Sequence, residues 1–110
     1  MGHREIENNT KLTEEEFEEF LNRVDEMERK EDHARAYRTM SNPIRRKILK
    51  ILDLNIMQTE DFLEHIDLTK DQVKYHLSML EQLRYIMDTE EGWKITPRGL
   101  GFLKNAQMED

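Results

Sequence analysis

The tightest constraint on this chain is a gap of two residues between two helical patterns. Residues 59–66 read as a short helix: Glu60 and Asp61 suit the positive end of a helix dipole, and Phe62, Leu63 and Ile66 share one face. Asp67 and Leu68 are then all that precede a new start. There Thr69 and Gln72 have capping-box spacing, and Leu68 with Val73 supplies a hydrophobic staple. The helix that follows, over residues 69–84, buries Val73, Leu77, Leu80 and the stem of Arg84. At about 100° per residue it turns Asp71, Lys74, Tyr75, Ser78 and Gln82 outward. The chain must therefore fold around two helices joined by a tight turn.

The flanking elements are equally well signposted. Asn42 caps a helix that has Pro43 at its first position, where the missing N–H is not needed, and Ile44, Ile48, Leu49, Ile51 and Leu52 mark its buried face. Arg45, Arg46, Lys47 and Lys50 between them form the strongest basic cluster in the chain. From Tyr85 to Ile95 the apolar period shortens, with Thr89, Glu90, Glu91 and Gly92 at the tip, which predicts a β-hairpin. Thr96 and Pro97 repeat the cap-plus-proline start, and Leu100, Phe102 and Leu103 form a last helix expected to end near Asn105. The expected class is mainly α with a small β-hairpin.

At the other end, Thr13 and Glu16 have capping-box spacing and Leu12 with Phe17 forms a staple. Phe17, Phe20, Leu21, Val24 and Met27 recur at helical spacing, and Ala34, Tyr37 and Met40 resume the stripe after charged residues 30–32. This is one amphipathic helix or two. A continuous helix of roughly 27 residues would extend about 40 Å, more than a small domain needs to cover its core. That surplus favours contact with a second copy, which makes Phe17, Phe20, Leu21, Val24 and Met27 candidate homodimer contacts. In the other disposition the helix folds back at the charged gap and buries Phe17, Phe20 and Val24 within its own domain. The expected divisions are a disordered terminus at 1–11, a helical extension at 12–40, a compact domain at 41–105 and a frayed end at 106–110.

Composition narrows the function. The 110 residues allow one compact unit and no multi-domain catalytic architecture. With no Cys, disulfide frameworks, thiolate metal sites and Cys nucleophiles are excluded, and a cytoplasmic location is expected. No apolar run suggests a signal peptide or membrane span. His3, His33, His65 and His76 form no pair at the helical spacing of metal ligands, Asp61 and His65 being the nearest approach, so neither metal nor cofactor is expected. No phosphate-binding loop, nucleophile elbow or zinc-protease motif is present, and no enzyme activity is expected. The net charge of −7 is unevenly placed, because 12 of the 24 acids lie in residues 1–36 beside only 6 of the 17 bases. A polyanion responds to local cations more than to the total, so nucleic acid stays open as a partner.

The order helix, short helix, tight turn, helix, hairpin, helix suggests a helix-turn-helix reader with a wing. Residues 37–103, about 60% of the chain, resemble the winged helix-turn-helix of small ArsR-like prokaryotic transcription regulators. Ser41-Asn42-Pro43-Ile44-Arg45-Arg46-Lys47-Ile48-Leu49 is similar to the family's opening motif. Leu68-Thr69 through Val73, His76-Leu77 and Leu80 resembles its recognition helix, and Ile95-Thr96-Pro97-Arg98-Gly99 the end of its wing. The resemblance implies a homodimer on double-stranded DNA, with two recognition helices about 34 Å apart, and repression by covering a promoter. Three positions depart from the pattern. Asp67 stands where the family often has Gly in the turn, and Arg84 replaces the Gly after the recognition helix, which suggests a longer helix. The wing tip carries Asp88, Glu90 and Glu91, acids unsuited to phosphate.

The candidate DNA contacts are Thr69, Lys70, Gln72, Lys74, Tyr75, His76 and Ser78 on the recognition helix. Lys70 and Lys74 have the reach for phosphates or guanine edges, Gln72 the amide pair that reads adenine, and Tyr75 and His76 groups for base edges or backbone; the competing roles are closing the capping box for Gln72, a hydrogen-bonded structural histidine for His76 and packing on a neighbour for Tyr75. Arg45 and Arg46 are candidate phosphate clamps, with Lys94 and Arg98 weaker candidates, and Arg45 has an alternative as a structural ion-pair partner. The acidic helix and acidic wing support a second class of function, a winged-helix module that contacts protein. No effector is legible.

Overall fold

The structure, a computed structural model, describes residues 6–26 and 29–109. Its elements are α1 (Glu14–Asp25), α2 (Arg29–Met40), α3 (Pro43–Leu54), a 3-10 helix (Thr59–Glu64), α4 (Lys70–Gln82), β1 (Ile86–Thr89), β2 (Gly92–Ile95) and α5 (Pro97–Glu109). Mostly helical with one antiparallel hairpin, this is the arrangement of a winged helix-turn-helix. The expected caps are formed. Thr13 and Glu16 bond reciprocally at the start of α1, Thr69 and Gln72 do the same at α4, and Asn42 Oδ1 accepts from the Ile44 N–H at 2.9 Å.

The turn before α4 is made without a left-handed residue. The Ile66 N–H bonds to the Phe62 carbonyl at 2.9 Å, the Leu68 N–H to that of Ile66 at 2.9 Å, and Asp67 keeps a negative φ. The departure at Arg84 resolves differently from the sequence expectation. The helix is not lengthened: α4 stops at Gln82, and Arg84 itself takes φ of 62°. The Arg84 N–H bonds to the Glu81 carbonyl and the Tyr85 N–H to that of Leu80, closing a Schellman motif that usually employs Gly. Its two bonds and the burial of the next residue, Tyr85, hold the strained conformation in place.

Ile48, Leu49 and Leu52 of α3, Phe62 and Ile66, Val73, Leu77 and Leu80 of α4, Ile86 and Ile95 of the hairpin, and Leu103 of α5 form the main core. The strands pair Ile86 with Ile95, Met87 with Lys94, Asp88 with Trp93 and Thr89 with Gly92. Met57 adds a one-residue third strand that sequence periodicity does not reveal, exchanging two backbone bonds with Trp93 at 2.7 and 3.2 Å. Because cross-strand pairs share a face, Ile86 and Ile95 point into the core, and Met87 and Lys94 point away from it.

That outer face is where the N-terminal stripe goes. The helical run is two helices, not one long one, and Phe20, 1% exposed, packs with Leu12 on Met87; Ile6, Phe17, Leu21 and Val24 complete a second small core. Met27 lies outside the described residues. Lys94, 1% exposed, makes the matching polar contact. Its ammonium donates to Glu16 Oε1 at 2.8 Å, Glu91 Oε1 at 2.7 Å and the Lys11 carbonyl at 3.1 Å, so all three N–H groups are used. Phe20 is therefore buried within its own chain, but the break between the helices falls between Asp25 and Arg29 and not at charged residues 30–32, which lie inside α2. A hairpin face offering both an apolar and a cationic partner within one chain acts at high effective concentration. Residues 8–12 enter this layer with order of their own, Asn8 Nδ2 donating to the Leu12 carbonyl at 2.8 Å.

Two outcomes follow. A methyl at Gly99 would press on the Tyr85 carbonyl oxygen and lie 2.9 Å from Ile95 Cγ1, whereas Gly101 on the same helix has nothing within 4 Å. Gly99→Ala is expected to cost roughly 3 kcal/mol, the upper range for overpacking, and Gly101→Ala to stabilise by up to about 1 kcal/mol through helix propensity; urea denaturation compares them. For Glu16, burial raises the carboxyl pKa but is outweighed by the bonds to Lys94 and Thr13, so it lies below its ordinary value. Lys94 is likewise held above its ordinary value against the effect of burial. The Glu16 contribution is present above the unfolded carboxylate pKa and is lost as pH falls through the folded one. The Lys94 contribution is lost as pH rises through its own raised value. Glu16→Gln is expected to cost about 1–2 kcal/mol at pH 7, with the difference from wild type closing in acid, where both side chains are neutral.

Candidate nucleic-acid interface

Burial of Val73, Leu77 and Leu80 fixes the rotation of α4 and leaves Thr69, Lys70, Gln72, Lys74, Tyr75 and Ser78 exposed along one side, with His76 half-buried at its edge. These seven candidates are thus brought together by one helix. The structure also shows what each side chain already does. The Thr69 hydroxyl accepts from the Gln72 N–H at 3.2 Å and Gln72 Oε1 from the Thr69 N–H at 3.0 Å. Bidentate reading of adenine needs both ends of the Gln72 amide, and the cap occupies its oxygen.

Lys70 Nζ lies 2.8 Å from Glu60 Oε1, joining α4 to the 3-10 helix across the turn. The hydrogen bond between them raises the Lys70 ammonium above its ordinary value and lowers the Glu60 carboxyl, and Lys74 adds a weaker pull on the same carboxyl. Both lysines therefore sit on the side of α4 that faces the turn. The Lys70–Glu60 contact is solvent-exposed and holds only weakly.

Arg45 occupies a different place from the one expected of a phosphate clamp. It is 8% exposed, and its Nε donates to His76 Nδ1 at 3.1 Å, its Nη1 to the Thr39 carbonyl at 3.3 Å, while the guanidinium lies 5.5 Å from the Tyr75 ring centroid. Arg45 is thus held inside the fold by hydrogen bonds to an imidazole and a carbonyl, not by the carboxylate that an ion-pair role would require. Burial first, and then the Arg45 charge, push the His76 imidazole below its ordinary pKa. Arg46, half-buried, donates to the Met40 carbonyl at 3.2 Å.

The wing candidates are taken up within the fold. Lys94 is enclosed by Glu16, Glu91 and the Lys11 carbonyl because Met87, its cross-strand partner, draws α1 over that face. Arg98 donates from Nε to the Leu83 carbonyl at 3.1 Å and lies 5.7 Å from the Tyr85 ring centroid, bracing the start of α5 against the end of α4. In their place the wing shows acids. Glu14, Glu15, Glu16 and Glu19 of α1 and Asp88, Glu90 and Glu91 of the hairpin line an open cleft of about 980 Å³.

Among the described residues, no three His, Cys, Asp or Glu side chains converge as metal ligands, and no helix is long and apolar enough to cross a membrane.

No family model matches this chain, and no solved structure matches it. Over 57 residues it is 36% identical to the transcriptional repressor SdpR of Bacillus subtilis (strain 168). The matched segment covers 52% of this chain and 63% of that protein, so the likeness is to a transcriptional repressor over about half of the chain.

Proposed function

We propose that this chain is a DNA-binding transcriptional regulator of the ArsR-like kind, a repressor that acts as a homodimer with α4 in the major groove of double-stranded DNA. The observation that carries the reading is the uncovered polar side of α4, where two lysines, a tyrosine 57% exposed and a serine lie on a helix held rigidly by its opposite face. Similarity to a repressor supports the same conclusion. In this reading Lys70 exchanges Glu60 for a phosphate, Lys74 meets phosphate or a guanine edge, Tyr75 and Ser78 meet base edges or backbone, and His76 contributes from the edge. Thr69 and Gln72 hold the helix start against the backbone, with Arg46 beside it. Arg45, Lys94 and Arg98 act on the architecture that presents these groups. A non-enzymatic role in the cytoplasm fits the resemblance. The homodimer is supported by Tyr37, 82% exposed on α2, and by the half-buried Phe17, Leu21 and Val24, which retain apolar surface.

A second reading is favoured by the acidic cleft between α1 and the hairpin: a winged-helix module that receives a basic protein segment there.

One titration separates these readings. A labelled duplex from upstream of this protein's own gene is followed by fluorescence anisotropy at several salt concentrations, against a scrambled competitor. Wild type is expected to prefer the specific duplex with two chains per site, and Lys74→Ala to weaken binding and reduce the slope of log affinity against log salt by about 0.9. An unchanged slope places DNA on another face, one chain per duplex removes the dimer, and no binding at low salt favours the acidic module.

A further inference from the structure

Resting on the reading of α4 as the DNA-contacting helix, we infer that Arg45 is a positioning residue: locked between the Thr39 carbonyl and His76 Nδ1, it fixes His76 as the neutral Nε2–H tautomer. Helix α4 then presents a directional hydrogen-bond donor at residue 76, not a cation.

The argument is one of donor and acceptor capacity. A guanidinium has N–H donors, no acceptor, and no accessible neutral form. Arg45 Nε donates to His76 Nδ1 at 3.1 Å, so that ring nitrogen is an acceptor and carries no proton. The single N–H of the neutral imidazole is then on Nε2. A second proton, on Nδ1, would set N–H against N–H beside a buried cation. The Thr39 carbonyl, 3.3 Å from Arg45 Nη1, keeps the guanidinium from turning away, and the backbone around it is closed, Thr39 and Arg45 both being buried.

Other ionisable groups on the elements packed against α4 do not alter this balance. Arg46, Lys47, Lys50 and Asp53 lie on α3, Glu60, Asp61 and Glu64 on the 3-10 helix with His65 just after it, and Asp88 on β1; Arg46 donates to the Met40 carbonyl, and Arg45 is the charged group that acts on the imidazole. Glu60 is committed to Lys70, and Asp61 accepts from the Gln58 N–H at 2.9 Å. The Arg45 guanidinium also lies 5.5 Å from the centroid of the Tyr75 ring, which meets the His76 ring edge-on at 5.4 Å. One buried cation on α3 therefore orients two successive side chains of α4.

Two consequences can be measured. In wild type burial and the Arg45 guanidinium hold His76 below its ordinary value, so DNA affinity is expected to change less from pH 7.5 to 5.5 than in a variant lacking Arg45, and the neutral imidazole adds nothing to the salt slope. With Arg45→Met the donor and the charge are gone while the burial remains, so the imidazole shifts up toward its ordinary value and protonates at a higher pH than in wild type. Long-range nitrogen–proton NMR of the side chain reads the tautomer and titration directly, without DNA, and anisotropy on the duplex reads the pH profile. We expect Nε2–H in wild type, mixed tautomers and a higher titration midpoint in Arg45→Met, and a return to Nε2–H in Arg45→Lys, which restores a cationic donor. On DNA, Arg45→Met should gain at least roughly threefold in affinity from pH 7.5 to 5.5, with a salt slope steeper by about 1 at the lower pH. An Nδ1–H tautomer in wild type, or a wild-type midpoint at or above the ordinary value, overturns the inference even if no variant folds. An unchanged tautomer in a folded Arg45→Met also overturns it. A wild type that shows the tautomer but binds no duplex overturns the claim that His76 serves DNA, and with it the reading of α4.

Discussion

The burial of Val73, Leu77 and Leu80 is the constraint on which the rest of this molecule depends. Each is at most 1% exposed, and each such side chain contributes about 1.5–3 kcal/mol relative to exposure. With that face of α4 anchored on α3 and the 3-10 helix, the helical period decides which residues meet solvent. The reciprocal cap of Thr69 and Gln72 sets where the helix begins, and the left-handed Arg84 sets where it ends and sends the chain into the hairpin. The exposure of the polar side chains is thus a by-product of packing: Lys70, Lys74, Tyr75 and Ser78 are outside because the aliphatic residues are inside.

The same logic governs the hairpin, with a different result. A two-stranded hairpin has two faces, and Ile86 and Ile95 commit one of them to the core. The other carries Met87 and Lys94, and α1 covers it with Phe20 above the methionine and Glu16 on the ammonium. A buried ion pair is weak evidence of stability in itself, but here every N–H of Lys94 has an acceptor, and Glu16 Oε1 also accepts from the Thr13 N–H. The pair therefore specifies where α1 docks. One effect is that the hairpin's lysine is neutralised inside the fold while Glu14, Glu15 and Glu19 of α1 and Asp88, Glu90 and Glu91 of the hairpin remain exposed.

Much of this was legible in the sequence, because it is local. Capping boxes span three residues, a cap followed by proline spans two, and the shortening of apolar period at Tyr85 needs no distant partner. What was not legible is what depends on contacts far along the chain. Lys94 reads as a surface cation until Glu16, 78 residues away, closes on it, and Arg45 reads as a clamp until His76, 31 residues away, accepts its Nε–H. The Met57 bridge is a single residue and leaves no periodic trace. The stripe from Phe17 to Val24 was seen correctly as apolar, but a stripe does not name its partner, and its docking site exists only once the hairpin is folded.

The most direct test of the central claim is to map the bound surface itself. Titrating unlabelled duplex from upstream of the gene into nitrogen-15 labelled protein, and following backbone and side-chain amides, places the contact residue by residue. The account predicts the largest changes on the outward side of α4, at Lys70, Lys74, Tyr75 and Ser78, with α1 and the wing tip at 88–91 little affected. Changes centred on the acidic cleft, or none anywhere at low salt, would contradict it.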